Sequence, residues 1–317
     1  VSSTHTMDTT LLLVAVLGIV VAVIAFLKLR GGKSKQGKVT ALYIYPIKST
    51  FGLQVTSAEI GTYGFKYDRE WMLIDGNNNF ISQRVQPRMA LIKTALHLDQ
   101  GILEVNAPGM PSLKLPLAHI QGPELDVTVW GTDMGAVYQG DANSKWFSDF
   151  LGAEVRLVRI PADHDRVVDQ RWTSPKGDQL TSYADGFPYL VASESSLEVA
   201  RDKTLEGCGE NPITIRNFRP NIVLSGFDAW EELLFERAKV GGATLYLTKP
   251  CTRCKLTTVV PDKGFFGGDQ PLKYIRDQRK SIFGMNAIHS PQSKGKMVKV
   301  NDTFSVDCFR ETEIVMK

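Results

Sequence analysis

The 317-residue chain is 43% hydrophobic and 22% charged, and 37 Lys and Arg against 34 Asp and Glu leave a formal charge of only +3. That length and apolar content can bury one large core or two ordinary ones, which excludes a disordered, collagenous or low-complexity chain. The near-neutral balance lacks the basic stripe of a nucleic-acid binder, so nucleic acid is not an expected partner.

The first element is an uncharged apolar run, LLLVAVLGIVVAVIAFL, at residues 11–27. Extended to 9–29 it reaches the roughly 20 residues that a helix needs to cross a bilayer core. Asp8 precedes the run, and Lys28, Arg30, Lys33, Lys35 and Lys38 follow it. A cleaved signal has the opposite asymmetry, so 9–29 reads as a transmembrane signal anchor whose C-terminal flank faces the cytosol. Residues 30–38 (RGGKSKQGK) have the composition of a solvated basic linker.

Strands are expected at 39–45, ending at Pro46, and at 71–74, where Asp75-Gly76-Asn77-Asn78 turns the chain back into Phe80-Ile81. Further short strands follow at 90–98, 102–105, 112–115 and 125–129, a spacing that implies a barrel or sandwich. In 143–151 (NSKWFSDFL), Trp146, Phe147, Phe150 and Leu151 have helical spacing and Gly152 ends the run. A strand at 155–160 closes this half, and the polar stretch 163–177 reads as a connection. Beyond it come strands at 189–192, 222–224, 243–247, 255–260, 304–306 and 314–316, with a helix at 194–205. The expected fold is predominantly β with some α, in two domains at 39–162 and 163–317.

The four cysteines are Cys208, Cys251, Cys254 and Cys308. Four in a chain this long make no disulfide framework and fit a reducing compartment. Cys251 and Cys254 form a C-x-x-C pair with several physical meanings. Structural zinc needs a second ligand pair that the scattered histidines do not offer. A thioredoxin-like pair opens a helix, whereas 255–260 is β-branched. A buried, inert cysteine is the plain reading for Cys208 and Cys308. In the remaining reading one thiolate ligates a soft metal whose other ligands arrive with a cofactor, the thiol being acidified by Lys249, Arg253 and Lys255.

Four segments decide for the last reading. Tyr45-Pro46-Ile47-Lys48-Ser49, then Tyr67-Asp68-Arg69-Glu70-Trp71 with Ser82-Gln83-Arg84, then Asn217-Phe218-Arg219-Pro220-Asn221-Ile222, and last Cys251-Thr252-Arg253-Cys254 with Thr257-Thr258 and Pro261-Asp262 together resemble the MOSC family of molybdenum-cofactor proteins, most closely its membrane-anchored amidoxime-reducing members. The resemblance spans the soluble body. It implies an N-terminal MOSC β-barrel domain followed by a MOSC domain, with molybdopterin between them.

By the same resemblance Cys254 ligates molybdenum, while Lys48, Ser49, Arg69, Arg219, Asn221 and Thr252 contact the cofactor. Asn221, which donates and accepts, suits the amide-like edge of a pterin, and the cations suit its phosphate. Asp185 is the candidate proton donor or relay, the plain alternative being a turn cap. Gly186 and Phe187 stand where the family usually has hydroxyl residues, so a side-chain contact at 186 is lost and the pocket at 187 is altered.

The implied activity is molybdenum-dependent reduction of amidoximes and hydroxylamines by oxygen-atom removal. Since the chain carries neither a plant-type iron–sulfur spacing nor a dinucleotide fingerprint, electrons are expected from outside, and the resemblance implies cytochrome b5 and NADH-cytochrome b5 reductase as their source. The resemblance places the protein on the mitochondrial outer membrane, facing the cytosol. The alternatives are a MOSC sulfur-transfer or cofactor-carrier protein, and a non-enzymatic membrane-tethered β protein.

Overall fold

Strands from both ends of the sequence meet in a single barrel in the computed structural model, which describes residues 34–173 and 179–314. They are β1 (Lys35–Ile44), β2 (Tyr189–Ser193), β3 (Ile222–Ser225), β4 (Phe235–Val240), β5 (Ala243–Thr252), β6 (Ile282–His289) and β7 (Thr303–Phe309). The order around the barrel is β3-β2-β6-β5-β4-β7-β1, and β1 closes the ring on β3 with Leu42 opposite Ile222. Only β2 and β3 are parallel among the registered barrel pairs. Parallel neighbours need a long crossover, and this one carries helix α2 (Glu194–Cys208) and the single turn α3 (Ile215–Phe218). The barrel is filled by side chains such as Leu42, Val191, Leu224, Leu245, Leu247, Met285, Phe304 and Val306, all fully buried.

The rest of the first half forms two further sheets. One orders Trp71–Ile74, Arg156–Arg159, Thr132–Tyr138 and Glu124–Val129; the other is a meander of Lys93–His97, Ile102–Asn106 and Leu113–Pro116. Helix α1 (Asp141–Leu151) lays Trp146, Phe147, Phe150 and Leu151 on Trp71, Leu73, Leu103, Val105 and Leu115. It stops at Gly152, whose left-handed φ of 67° lets its N–H return to the Ser148 carbonyl at 2.8 Å.

Hydrogen bonding closes one barrel among the described residues, and its first stave, β1, precedes the expected boundary at 162/163 while the other six follow it. Several expected elements are corrected. The expected strand 90–98 begins as a 3-10 turn, Pro87–Leu91, because Pro87 fixes a helical φ at its start. The expected strand 255–260 is a 3-10 turn, Lys255–Thr258, followed by a two-residue strand. Strands Thr132–Tyr138, Phe235–Val240 and Ile282–His289 and helix α4 (Leu272–Arg279) were not expected. Ile314 lies outside any strand, and 315–316 lie outside the described residues, as does the span 9–29. Among the described residues no helix is long and apolar enough to cross a membrane.

A buried carboxyl beside the barrel provides a stability test. Glu232 is completely buried, one oxygen accepting the Ser196 hydroxyl at 2.8 Å and the other without a partner. Burial pushes its carboxyl up to about 7 from 4.5, against the smaller pull of the Ser196 hydrogen bond. Between those values the folded chain holds a proton that the unfolded chain has lost, so stability falls as pH rises through the window. Glu232→Gln removes this penalty and is expected to raise stability by about 3 kcal/mol at pH 8 and little at pH 5, as read by thermal melts at the two pH values.

Candidate active site

All four motifs are tied together by hydrogen bonds before any ligand is considered. Asn217 clamps the turn after the second cysteine, its amide donating to the Thr257 and Val259 carbonyls at 3.0 and 3.1 Å and accepting from the Thr214 N–H at 2.9 Å. Thr257 returns both its N–H and its hydroxyl to the Cys254 carbonyl at 3.0 and 2.9 Å. Cys254 is therefore held at the start of its turn by its own motif and by the preceding one. Phe218, stacked on Phe283 with ring centroids 3.7 Å apart, offers its carbonyl to Arg253 at 2.6 Å.

A second network surrounds Tyr45. Asp68, 1% exposed, accepts the Tyr45 N–H at 2.8 Å and is ion-paired with Arg69. Arg69 donates to Asn221 Oδ1 at 3.0 Å, and the Arg69 and Arg219 guanidiniums lie 4.1 and 4.2 Å from the Tyr45 ring centre. Asn221 also accepts the Leu190 N–H and donates to the Tyr43 carbonyl, both at 3.1 Å. Its amide is thus engaged at both ends as a brace between β1 and β2. Burial pulls Arg219 down to about 10. Ser49, Arg69 and Arg219 all adopt left-handed backbone, with φ of 66°, 54° and 56°. Such conformations cost non-glycine residues about 1–3 kcal/mol each and gather at ligand sites.

Both networks open onto one cleft of about 370 Å³. Lys48, Ser49, Arg69, Asp185, Arg219, Asn221, Thr252 and Cys254 all line it, so the eight residues picked out from sequence share one wall system. It also takes in residues that the sequence argument did not place there: Arg84, Trp130, Lys249, Arg253 and Asn286. Arg84 was visible only as part of a motif, and Trp130 carried no sequence signal beyond the turn-forming Gly131 beside it. Lys255 is elsewhere, its ammonium 4.0 Å from the Phe266 ring centre. Phe187 lines the cleft near Lys249, and a Cβ at Gly186 would meet nothing within 4 Å, so the missing hydroxyl is not forced by crowding.

Six cations and one carboxylate face this space. Arg84 Nε donates to Cys254 Sγ at 3.1 Å, and its Nη2 reaches Asp185 at 3.4 Å. Asp185 also accepts from Lys48 Nζ at 2.5 Å and from the Trp130 indole N–H at 3.1 Å. Its side chain is 59% exposed. Desolvation by the cleft walls would raise its carboxyl, but Lys48 and Arg84 hold it far below the usual carboxylate range. Burial lowers the Lys48 ammonium to about 8, with Asp185 opposing the shift. Cys251 Sγ accepts from Arg253 at 2.8 Å. Both cysteines are free, and among the described residues no three His, Cys, Asp or Glu side chains gather to hold a metal ion.

Residues 36–154 match the MOSC N-terminal beta barrel domain and residues 178–305 match the MOSC domain. The chain is 34% identical over 250 residues to mitochondrial amidoxime-reducing component 1 of Mus musculus, covering 77% of this chain and 72% of the relative. It belongs to the MOSC family. Mitochondrial amidoxime reducing component 2 of Bos taurus is 31% identical over the same shares of each chain, and component 1 of Homo sapiens is 32% identical over 258 residues. Among solved structures, the YUAD protein from Bacillus subtilis aligns with 88% of this chain and 99% of its own, at a TM-score of 0.39 and 14% identity. In MOSC terms the cleft draws on both matched segments: Lys48, Arg69 and Arg84 come from the first, Asp185, Arg219 and Cys254 from the second.

Fit to the family's cofactor can be judged from the donor set. An anionic group carrying a phosphate needs converging cations, a metal needs a soft ligand, and small-ligand sites occupy roughly 300–1,000 Å³. Six cations, a cysteine sulfur and a 370 Å³ space meet all three requirements.

Proposed function

We propose that this protein is a molybdenum-cofactor-dependent reductase of N-hydroxylated compounds such as amidoximes and hydroxylamines. The observation that carries the reading is one cationic cleft shared by Cys254 and the other residues of the four motifs. The bound cofactor would supply two-electron chemistry that removes the substrate oxygen, and Cys254 would be the protein's ligand to its metal.

The chain's own residues do the rest. Arg69 and Arg219, fixed by Tyr45 and strained backbone, present charge-assisted donors to a phosphate. Asn221 acts through Arg69 by holding its guanidinium, a positioning role more consistent with its engaged amide than contact with a pterin edge. Asp185, held ionised, is a poor proton donor; Lys48 is the better one, with a proton on Nζ that leaves near physiological pH. Asp185 orients that ammonium.

This assignment fixes the pH dependence. A donor must be protonated, so turnover is expected to fall as pH rises through about 8. Asp185 raises the Lys48 value, so Asp185→Asn should move the falling limb to lower pH. A profile of kcat against pH for both proteins checks this, and an unmoved limb in the variant would remove Lys48 from the role.

With electrons supplied from outside, cytochrome b5 and NADH-cytochrome b5 reductase are the proposed donors. A membrane anchor at 9–29 would raise their effective concentration; the relatives' names suggest a mitochondrial location, and the outer membrane is our proposal within it. The test is elemental analysis of protein from a cofactor-competent host, with benzamidoxime reduction driven by an artificial electron donor. About one molybdenum per chain and turnover are expected. Molybdenum lost on gel filtration, or sulfur carried as persulfide without turnover, would favour the carrier or sulfur-transfer alternative; protein with no metal at any stage, no persulfide and no turnover would refute all three.

A further inference from the structure

Trp130 occupies a costly position. It sits with Gly131 at the tip of the hairpin joining Glu124–Val129 to Thr132–Tyr138, with Val129 opposite Thr132. Both tip residues have positive φ, 54° and 73°. Two-residue turns of this kind favour Asn, Asp or Gly at the first position, where an aromatic side chain is strained. Trp130 is also 51% exposed, one of few large hydrophobic residues left so open among the described residues. Backbone strain and an exposed aromatic ring are both unfavourable for folding alone.

Its partners aim it at the cleft. The indole N–H donates to Asp185 at 3.1 Å, the Arg84 guanidinium lies 4.4 Å from the ring centre, and Phe80 meets it at 5.1 Å with planes tilted by 59°. The ring lines the cleft, and Arg84, which bonds the Cys254 sulfur, is the side chain that links the two. A flat, half-open π surface is thereby fixed one residue away from the metal-binding sulfur.

We infer that Trp130 is a specificity-determining platform, on which a planar conjugated N-hydroxy substrate such as an aryl amidoxime stacks beside Cys254. The inference rests on the reductase reading and adds to it the class of substrate favoured. Stacking on an aromatic face is worth enough to change affinity by about tenfold. A substrate without a π surface gains nothing from it.

The test compares wild-type holoenzyme with Trp130→Ala and Trp130→Phe, using benzamidoxime and hydroxylamine itself as substrates. For Trp130→Ala, KM for benzamidoxime should rise about tenfold, with KM for hydroxylamine within twofold of wild type and molybdenum content unchanged. Trp130→Phe, which keeps a ring, should recover most of the loss. Equal falls in kcat for both substrates would show that Trp130 merely props Arg84, and would overturn the platform. Unchanged KM for both would overturn it too.

A readout independent of turnover uses the indole as its own reporter. Benzamidoxime should quench tryptophan emission saturably in wild type and not in Trp130→Phe, and hydroxylamine should quench neither. Quenching that persists in Trp130→Phe, or is absent from wild type, defeats the platform whether or not the protein reduces anything. Wild type that binds benzamidoxime through Trp130 yet lacks molybdenum and turnover would defeat the reductase reading while supporting this one.

Discussion

Cys254→Ala is expected to abolish benzamidoxime reduction and to empty the protein of molybdenum, while Cys251→Ala keeps both. The two sulfurs line the same cleft, but their surroundings differ. Cys254 is locked at its carbonyl by Thr257, which is in turn held by Asn217, and its sulfur already accepts a hydrogen bond from Arg84. That is the support a metal ligand needs, and loss of supporting groups alone typically costs 10–100-fold in metal affinity or activity. Removing the ligand itself should therefore cost more than about a hundredfold. Cys251 is paired with Arg253, whose other nitrogen is anchored on the Phe218 carbonyl. Its loss leaves one guanidinium N–H without a partner, a penalty of about 1–3 kcal/mol if that group stays dry. Elemental analysis and the assay rank the two variants directly. Retained metal and full turnover in Cys254→Ala would transfer the ligand assignment elsewhere.

Asp68→Ala is expected to be the most destabilising single change near the cleft. The carboxylate is buried with Arg69 and also accepts the Tyr45 N–H. Deleting one member of such a pair leaves the other charge buried without its counter-ion, a loss of about 3–5 kcal/mol. For a protein of this size the melting temperature should drop by on the order of 10 °C. Asp68→Asn retains an acceptor for Tyr45 and fills the space, so it should melt between the two. The damage should also reach function, because Arg69 is aimed by Asp68 on one side and Asn221 on the other. A melting point within a degree or two of wild type in Asp68→Ala would show that Arg69 finds another partner or water.

The candidate site was more legible in the sequence than the fold around it. Motif residues converge because each carries a local signature: a cysteine pair, arginines in fixed spacing, an Asn beside a Pro. Their burial and partners were not readable. Asn221 was read as a ligand contact, and its bonds to Leu190, Tyr43 and Arg69, residues far apart in sequence, became visible only in the fold. Asp185 looked like an acid, and only the fold brings it beside Lys48 and Arg84, which hold its carboxyl well below the usual range. Trp130 went unnoticed because a tryptophan at a hairpin tip contradicts turn preferences, which makes it informative only once its neighbours are known.

Among the elements, helix α1 was predicted within two residues because its aromatic face and terminal glycine are local features. The turn after Cys254 was misread as strand, since Thr257, Thr258 and Val259 favour extended backbone. There the side-chain bonds from Asn217 and Thr257 outweigh propensity. Strands Phe235–Val240 and Ile282–His289 were missed because barrel strands interleaved with Arg, Glu and Asn show weak alternation.

The stave β1 has a practical consequence for anyone dissecting the gene. A fragment beginning at residue 163 would carry six of the seven barrel strands and expose the unsatisfied edges of β3 and β7, between which β1 normally lies. Open edges of that kind recruit other chains. The fragment should therefore aggregate on expression, and adding residues 35–44 in trans as a synthetic peptide should restore solubility, much as a missing plank restores a cask.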